Sequence, residues 1–256
     1  MTKGKWLPLS VPRRLMTDMM RYALKVPTVP IERTMDLSAV VHARAACAIR
    51  PPWVGIFAKA FALTAREFPE LRRVYLKWPW PHLYEYPSST ASILVERSYQ
   101  GEPCVLSCII REPDATSITN IAGSIHTAVE APIEQVKAHR RALSFWRLPG
   151  IIRRPALWVA LNVPRQRVKY FGTFIVTAVS LMGADALHPP TYVTTLLTFG
   201  VISPRGEVPV RVSMDHRVYD GVAVAKILAK LEENLNGPIV DELRSLAAIK
   251  LATLSR

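Results

Sequence analysis

With 256 residues, the chain has room for one large domain or two small ones. Half of its residues are hydrophobic, which excludes disorder over most of its length, and 21 prolines against 11 glycines exclude collagen-like repeats and Gly/Ser linkers. A net charge of +13 favours anionic partners (nucleic acid, a membrane surface or a phosphorylated cofactor), and three cysteines are too few for a disulfide framework, so a reducing compartment, the cytoplasm, is expected.

Residues 13–24 carry Leu15, Met16, Met19, Met20 and Ala23 at helical spacing, with Pro12 suited to a first turn. Residues 1–14 hold no apolar run of signal-peptide length, so no targeting segment is expected. Pro27 and Pro30 end the helix and a strand follows to Asp36. Ser38 reads as the N-cap of a helix running to about Ala48. Pro51 and Pro52 precede a further helix over 53–68, with Phe57, Phe61 and Ala65 on one face. The aromatic, proline-rich stretch 74–87 is expected to be loop and edge structure.

Segments 92–97 and 104–111 read as strands joined by a turn at Gln100-Gly101. Cys104 and Cys108 have no Cys or His partner at metal spacing and read as buried thiols, so no metal site is expected. Ile118, Ile121, Ile125 and Val129 mark a helix that Pro132 breaks before a basic continuation to Leu143. Between 133 and 170 nine basic residues face a single acidic one, Glu134, so the excess charge is concentrated there. From 170 to 204 the only charge is Asp185, but Gly172, Gly183, Pro189, Pro190 and Gly200 interrupt the run. Buried strands over 173–180 and 192–202 explain it better than a membrane span.

Pro204-Arg205-Gly206 turns the chain into 208–214, where Val208, Val210, Val212 and Met214 alternate. A helix with Val224, Ile227, Leu228, Leu231 and Leu235 on one stripe follows and is expected to end near Gly237-Pro238. No linker separates two parts, so residues 1–256 read as a single domain.

Between the late strand and that helix lies MDHRVYDG, residues 214–221. A histidine at a strand end can accept a proton near neutral pH. Asp220 falls near the helix start, where free N–H groups favour a carboxylate, and Gly221 permits a close backbone approach. By spacing alone, these residues fit equally a helix cap beside a surface histidine.

The segment resembles the DHRxxDG signature of the acyltransferase catalytic domain in 2-oxoacid dehydrogenase complexes. More broadly it resembles the HxxxDG pattern shared with chloramphenicol acetyltransferase-like enzymes. Other stretches are similar too: VGIFAKAFALTAREFPEL (54–71), GTFIVTAVSLMG (172–183), FGVI (199–202) and PRRLMTDMMRY (12–22). The resemblance covers most of 10–130 and 172–237.

It implies an α/β (two-layer α+β) fold, a chloramphenicol acetyltransferase-like mixed sheet flanked by helices. It also implies a homotrimer, able to build into a larger cage, with active sites at subunit interfaces. In that family a histidine removes a thiol proton and the thiolate attacks an acyl thioester, while a Ser or Thr hydroxyl steadies the oxyanion. His216 takes the base role and Thr177 the hydroxyl role. Asp220 takes the place of an aspartate that braces the loop against an N-terminal arginine, here Arg13 or Arg14. Asp215, Arg217 and Gly221 are implied as structural support. Coenzyme A is the implied substrate, and the chain's positive charge suits its phosphates.

Three departures stand out. Only a short segment precedes the matched region, so no lipoyl or subunit-binding domain is expected. Ala178 follows Thr177 where the family has asparagine. Residues 144–171 form a longer connection than the family's, an extended basic and apolar insertion. It reads as a segment on an anionic membrane, as subunit packing, or as an acyl-chain or cofactor site.

The leading expectation is a free-standing, coenzyme A-dependent acyltransferase, cytoplasmic or peripheral to a membrane. The alternative is a catalytically weak assembly protein resembling the core of such a complex. No nucleic-acid recognition motif accompanies the charge, so that partner is not expected.

Overall fold

The computed structural model describes residues 4–178 and 183–254. Ser10 opens helix α1 (Val11–Ala23), its hydroxyl accepting from the Arg13 N–H. Strand β1 (Thr28–Asp36) leads into α2 (Ser38–Ala46) and α3 (Trp53–Glu67). Ser38 is not the N-cap of α2. It is the first helical residue, and the Asp36 carboxylate accepts its N–H at 2.9 Å, because a carboxylate two residues upstream reaches the free donor first.

The stretch expected to be loop and edge structure contains a short antiparallel pair, β2 (Arg73–Leu76) and β3 (His82–Glu85). Strands β4 (Thr90–Tyr99) and β5 (Glu102–Arg111) form a hairpin whose turn places Gln100 and Gly101 at positive φ. Helices α4 (Ile118–Glu130), α5 (Lys137–Arg147), α6 (Gly150–Asn162) and α7 (Pro164–Phe171) follow. The insertion expected over 144–171 is therefore the end of α5 with α6 and α7.

Strands β6 (Phe174–Thr177), β7 (Thr195–Phe199) and β8 (Glu207–Asp215) complete the sheet. The expected strand over 173–180 is described only as far as Thr177, and Ser180 lies outside the described residues. Helix α8 (Gly221–Asn234) does not stop at Gly237-Pro238. A π-helical turn (Leu235–Ile239) absorbs Pro238, which has no N–H to give, and α9 (Val240–Leu254) continues.

The main sheet runs β1-β8-β7-β6-β4-β5. The β4/β6 and β6/β7 pairs are parallel and the others antiparallel, so the sheet is mixed, with helices against it. Register decides which side chains face the helices. Val176, Leu197 and Val212 lie in one row across β6, β7 and β8, all buried in the main core. The next row, Thr177, Thr198 and Arg211, faces the opposite side by strict alternation.

Helices α3 and α8 cover the core face. Phe57 stacks on Phe199 with centroids 4.1 Å apart, and Phe61 tilts against Phe174 at 4.8 Å. Both α3 phenylalanines are fully buried, so Phe61→Ala costs roughly 3–5 kcal/mol through lost transfer energy and the cavity left behind.

Two charged ties hold helices where apolar packing alone does not. On α3, buried Lys59 pairs with Glu242 of α9, and Glu242 also accepts the Ile118 N–H at the start of α4. On α6, buried Arg153 makes two bonds to Asp18 Oδ2 of α1, at 2.9 and 2.7 Å, while Arg154 takes Oδ1 at 3.1 Å. Burial opposes ionisation of Asp18, but the bonds from Arg153 and Arg154 outweigh it and hold the carboxyl below its usual range.

Candidate active site

The end of β8 is fixed by backbone bonds on both sides. The Asp215 N–H donates to Thr194 O at 2.8 Å, and the His216 N–H donates to Pro27 O at 3.1 Å. Asp215 then accepts three bonds from Arg217, from its backbone N at 3.0 Å, Nε at 2.8 Å and Nη2 at 2.6 Å. The Arg217 guanidinium lies 4.3 Å over the Tyr75 ring on β2. So Asp215 and Arg217 tighten the turn that presents His216.

Gly221 follows as the first residue of α8. A Cβ there would sit 3.3 Å from Ile31 Cδ1, tighter than an ordinary contact, so a larger residue would push the helix start off β1. Gly172 is more restricted: its φ is +73°, and a Cβ would lie 2.6 Å from Thr90 O. Only glycine lets β6 begin beside β4 at that point.

The His216 side chain is 49% exposed. Its Nδ1 faces Asp220 Oδ1 at 3.4 Å, and Asp220 is the N-cap residue of α8 without a side-chain capping bond. The Asp220 side chain is 81% exposed, so water screens this pair and its energetic worth is small. Its geometric consequence is an orientation with Nδ1 toward the carboxylate and Nε2 directed elsewhere.

The remaining candidates do not join this cluster within one chain. Thr177 pairs in register with Thr198 and, through it, with Arg211. His216 lies five positions beyond Arg211 in sequence, about 16 Å along the strand direction. Thr177 is thus level with the middle of β8, whereas His216 lies just past its C-terminal end, too far away for one acceptor to touch both. Arg13 pairs with Glu102 at 3.5 Å, and Arg14 Nε donates to Leu9 O at 3.0 Å. Among the described residues neither arginine contacts Asp220, so the expected bracing pair does not form inside one chain. The reason is topological. Glu102 belongs to β5, at one edge of the sheet, whereas the Asp220 turn follows β8, beside β1 at the other.

Several residues of this corner escaped the sequence reading. Tyr219 Oη and Thr195 Oγ1 are 2.6 Å apart, both buried, and burial pushes the tyrosine hydroxyl far above its ordinary range. Arg167 on α7 donates to Leu161 O at 2.7 Å and Tyr192 O at 2.8 Å, close enough to Asp215 for their charges to interact. His188 Nε2 lies 2.9 Å from Thr28 Oγ1, and Thr28 is the register partner of Asp215. Only Tyr219 carried a signal in the sequence, as a large aromatic between His216 and Asp220. The others arrive through tertiary pairing.

Among the described residues, no cluster of three or more His, Cys, Asp or Glu side chains could hold a metal ion. None of their helices is long and apolar enough to cross a membrane.

The sequence matches no family model and no curated protein. Solved structures do match. A probable dihydrolipoamide acetyltransferase from Listeria monocytogenes has 20% identity and a TM-score of 0.65, over 91% of this chain and 94% of that one. The dihydrolipoamide acetyltransferase of Azotobacter vinelandii has 18% identity and a TM-score of 0.67, over 95% and 94%. That enzyme was examined for the roles of a serine, a histidine and an asparagine in its catalytic mechanism, the last two four positions apart. A chloramphenicol acetyltransferase has 14% identity and a TM-score of 0.50, over 89% and 98%. The six-stranded mixed sheet and its helices are thus the fold of the dihydrolipoamide acetyltransferase cores and of chloramphenicol acetyltransferase.

Proposed function

We propose that the chain is an acyltransferase that moves an acyl group from a coenzyme A thioester to a thiol or other nucleophilic acceptor. The observation that carries this reading is the presentation of His216. It stands half-exposed on a turn pinned by Thr194, Pro27, Tyr75 and its own Asp215–Arg217 bridge, in a fold shared with acetyltransferases, and four residues before a polar side chain facing its Nδ1.

In this reading, Nε2 of His216 takes the proton of the acceptor thiol as its sulfur attacks the thioester carbonyl carbon. The carbonyl oxygen becomes an oxyanion, and the Thr177 hydroxyl donates to it. When the tetrahedral adduct collapses, the C–S bond to coenzyme A breaks and its thiolate recovers the proton from His216. Asp220 keeps the imidazole turned toward the acceptor.

The separation of Thr177 from His216 favours a site assembled between copies, as in a homotrimer. Each histidine would then meet the threonine of a neighbour. Two structural neighbours are the cubic core of the pyruvate dehydrogenase multienzyme complex and the catalytic core of a 2-oxoacid dehydrogenase multienzyme complex from Thermoplasma acidophilum, which fits an assembly of this kind. The excess positive charge suits the phosphates of coenzyme A.

A second reading, an assembly protein with the same fold and little turnover, draws on Ala178, which removes a hydrogen-bonding side chain beside Thr177. Assaying a panel of acyl-coenzyme A donors against small thiols separates the two. The acyltransferase reading expects turnover that His216→Ala lowers by roughly 100-fold or more. The assembly reading expects no turnover with any donor and no difference between wild type and His216→Ala.

A further inference from the structure

Helix α6 is amphipathic in the wrong sense for a surface helix. Its inner face carries Arg153, Leu157 and Leu161, held by the Asp18 bridge and by contact with Met19 of α1. Its outer face carries Ile151, Ile152, Trp158 and Val159, with Ile151 84% exposed. Positions 151 and 158, and 152 and 159, are seven apart, so they form one stripe along the helix.

The stripe does not end with the helix. An open groove of about 300 Å³ joins Trp158, Val163 and Pro164 to Leu76, Trp78 and His82 of the β2–β3 hairpin. Trp78 and Trp80 at the tip of that hairpin are 62% and 67% exposed. Two separate chain segments thus bring tryptophans and large aliphatics to one continuous surface. Patches of that kind on a protein surface mark interaction sites.

Charge decides the partner. Lys77 adjoins Trp78 and Arg165 follows Pro164, both exposed. The acidic groups nearby are already satisfied: Asp18 by Arg153 and Arg154, and Glu85 by Arg72 and Arg73. A two-fold copy on this same face would set cations against cations, whereas a copy meeting it through a different face would register as a change of oligomeric state. Interfacial tryptophans, aliphatics and a cationic rim together suit the headgroup region of an anionic bilayer.

We propose that the outer face of α6 and the β2–β3 turn dock the protein on an anionic phospholipid membrane, with Ile151, Ile152, Trp78 and Trp158 entering the interface and Lys77 and Arg165 facing the headgroups. None of the described helices crosses the bilayer. The surface stands independently of the acyl-transfer reading.

Flotation of the whole chain with vesicles tests this, using phosphatidylcholine alone and phosphatidylcholine mixed with phosphatidylglycerol. The expected result is binding to the mixed vesicles only, weakening as salt is raised. Tryptophan emission should be quenched by brominated lipid in the bound state. Ile151→Asp with Ile152→Asp should lower partitioning by about 10-fold or more, with circular dichroism unchanged because both residues face out. Lys77→Glu with Arg165→Glu should lower it as well while keeping the fold. Absence of binding at low salt overturns the proposal. So does binding that neither pair of substitutions alters, or a double aspartate variant whose effect is a change of oligomeric state in light scattering, which would assign the face to a second copy.

Discussion

The hydroxyls of Tyr219 and Thr195 meet at 2.6 Å, buried directly behind the turn that carries His216. Tyr219→Phe keeps the ring and removes one partner, leaving the Thr195 hydroxyl unpaired in a dry site. The expected loss is about 1–3 kcal/mol, read by urea unfolding. Since burial raises the tyrosine's pKa, its contribution is present below the unfolded value near about 10 and is lost as pH rises beyond it. The phenylalanine variant should therefore show a flatter decline of stability at alkaline pH.

Thr177 and His216 stand about 16 Å apart along the strand direction in one chain, so variants of each should complement. Thr177→Ala and His216→Ala alone are each expected to be impaired in acyl transfer. Co-assembled in equal amounts, they should recover about a quarter of wild-type activity, because one interface in four then joins an intact threonine to an intact histidine. Thr177→Ala alone should act mainly on kcat, since its hydrogen bond strengthens as the oxyanion forms. No recovery on co-assembly would remove Thr177 from the site.

Breaking the Asp18–Arg153 pair leaves an uncompensated charge in the interior. Asp18→Asn should cost about 3–5 kcal/mol, whereas Asp18→Leu combined with Arg153→Met should recover much of it. Because the Asp18 carboxyl is held below its ordinary range, its contribution is present above the unfolded pKa and is lost as pH falls through the folded one. Chemical denaturation across acidic pH should show Asp18→Asn losing that slope.

His139 on α5 is buried, and neither of its ring nitrogens has a hydrogen-bond partner among the described residues. Burial first and the nearby Arg97 second push its pKa down. The unfolded chain therefore binds a proton that the folded chain refuses, so stability falls as pH drops below about 6.5. His139→Leu should remove that part of the decline, seen as a smaller loss of Tm between about pH 7 and 5.

The fold was legible where pattern and position agree. The α3 stripe of Phe57, Phe61 and Ala65, the alternation along β8 and the turn at Gly101 all follow from local periodicity. The reading failed where a nonlocal partner decides. Pro238 looked like a stop, yet a π-helical turn carries the chain past it into α9. Residues 74–87 read as loop and edge structure, and Trp78 and Trp80 do lie in a loop, but the register that pairs Arg73 with Glu85 and Leu76 with His82 on either side of it was not visible. At the site, His216, Asp215 and Arg217 were visible as a contiguous motif. The tie of Tyr219 to Thr195 and the approach of Tyr75 were not, because each depends on strands remote in sequence. Within one chain the arginines of α1 lie at the opposite edge of the sheet from Asp220, so a brace between them would have to form between copies.

Glu242 neutralises Lys59 and caps α4 at the same time, so two helices made early in synthesis wait on one made last. Until the ribosome has extended the chain past residue 242, the buried ammonium on α3 has no counterion and the first N–H of α4 has no acceptor. Native packing of this half of the molecule is therefore expected to wait on α9 rather than to proceed from the N-terminus as the chain emerges. A nascent chain arrested within α8 should remain sensitive to protease along α3 and α4, and emergence of α9 should be what closes it.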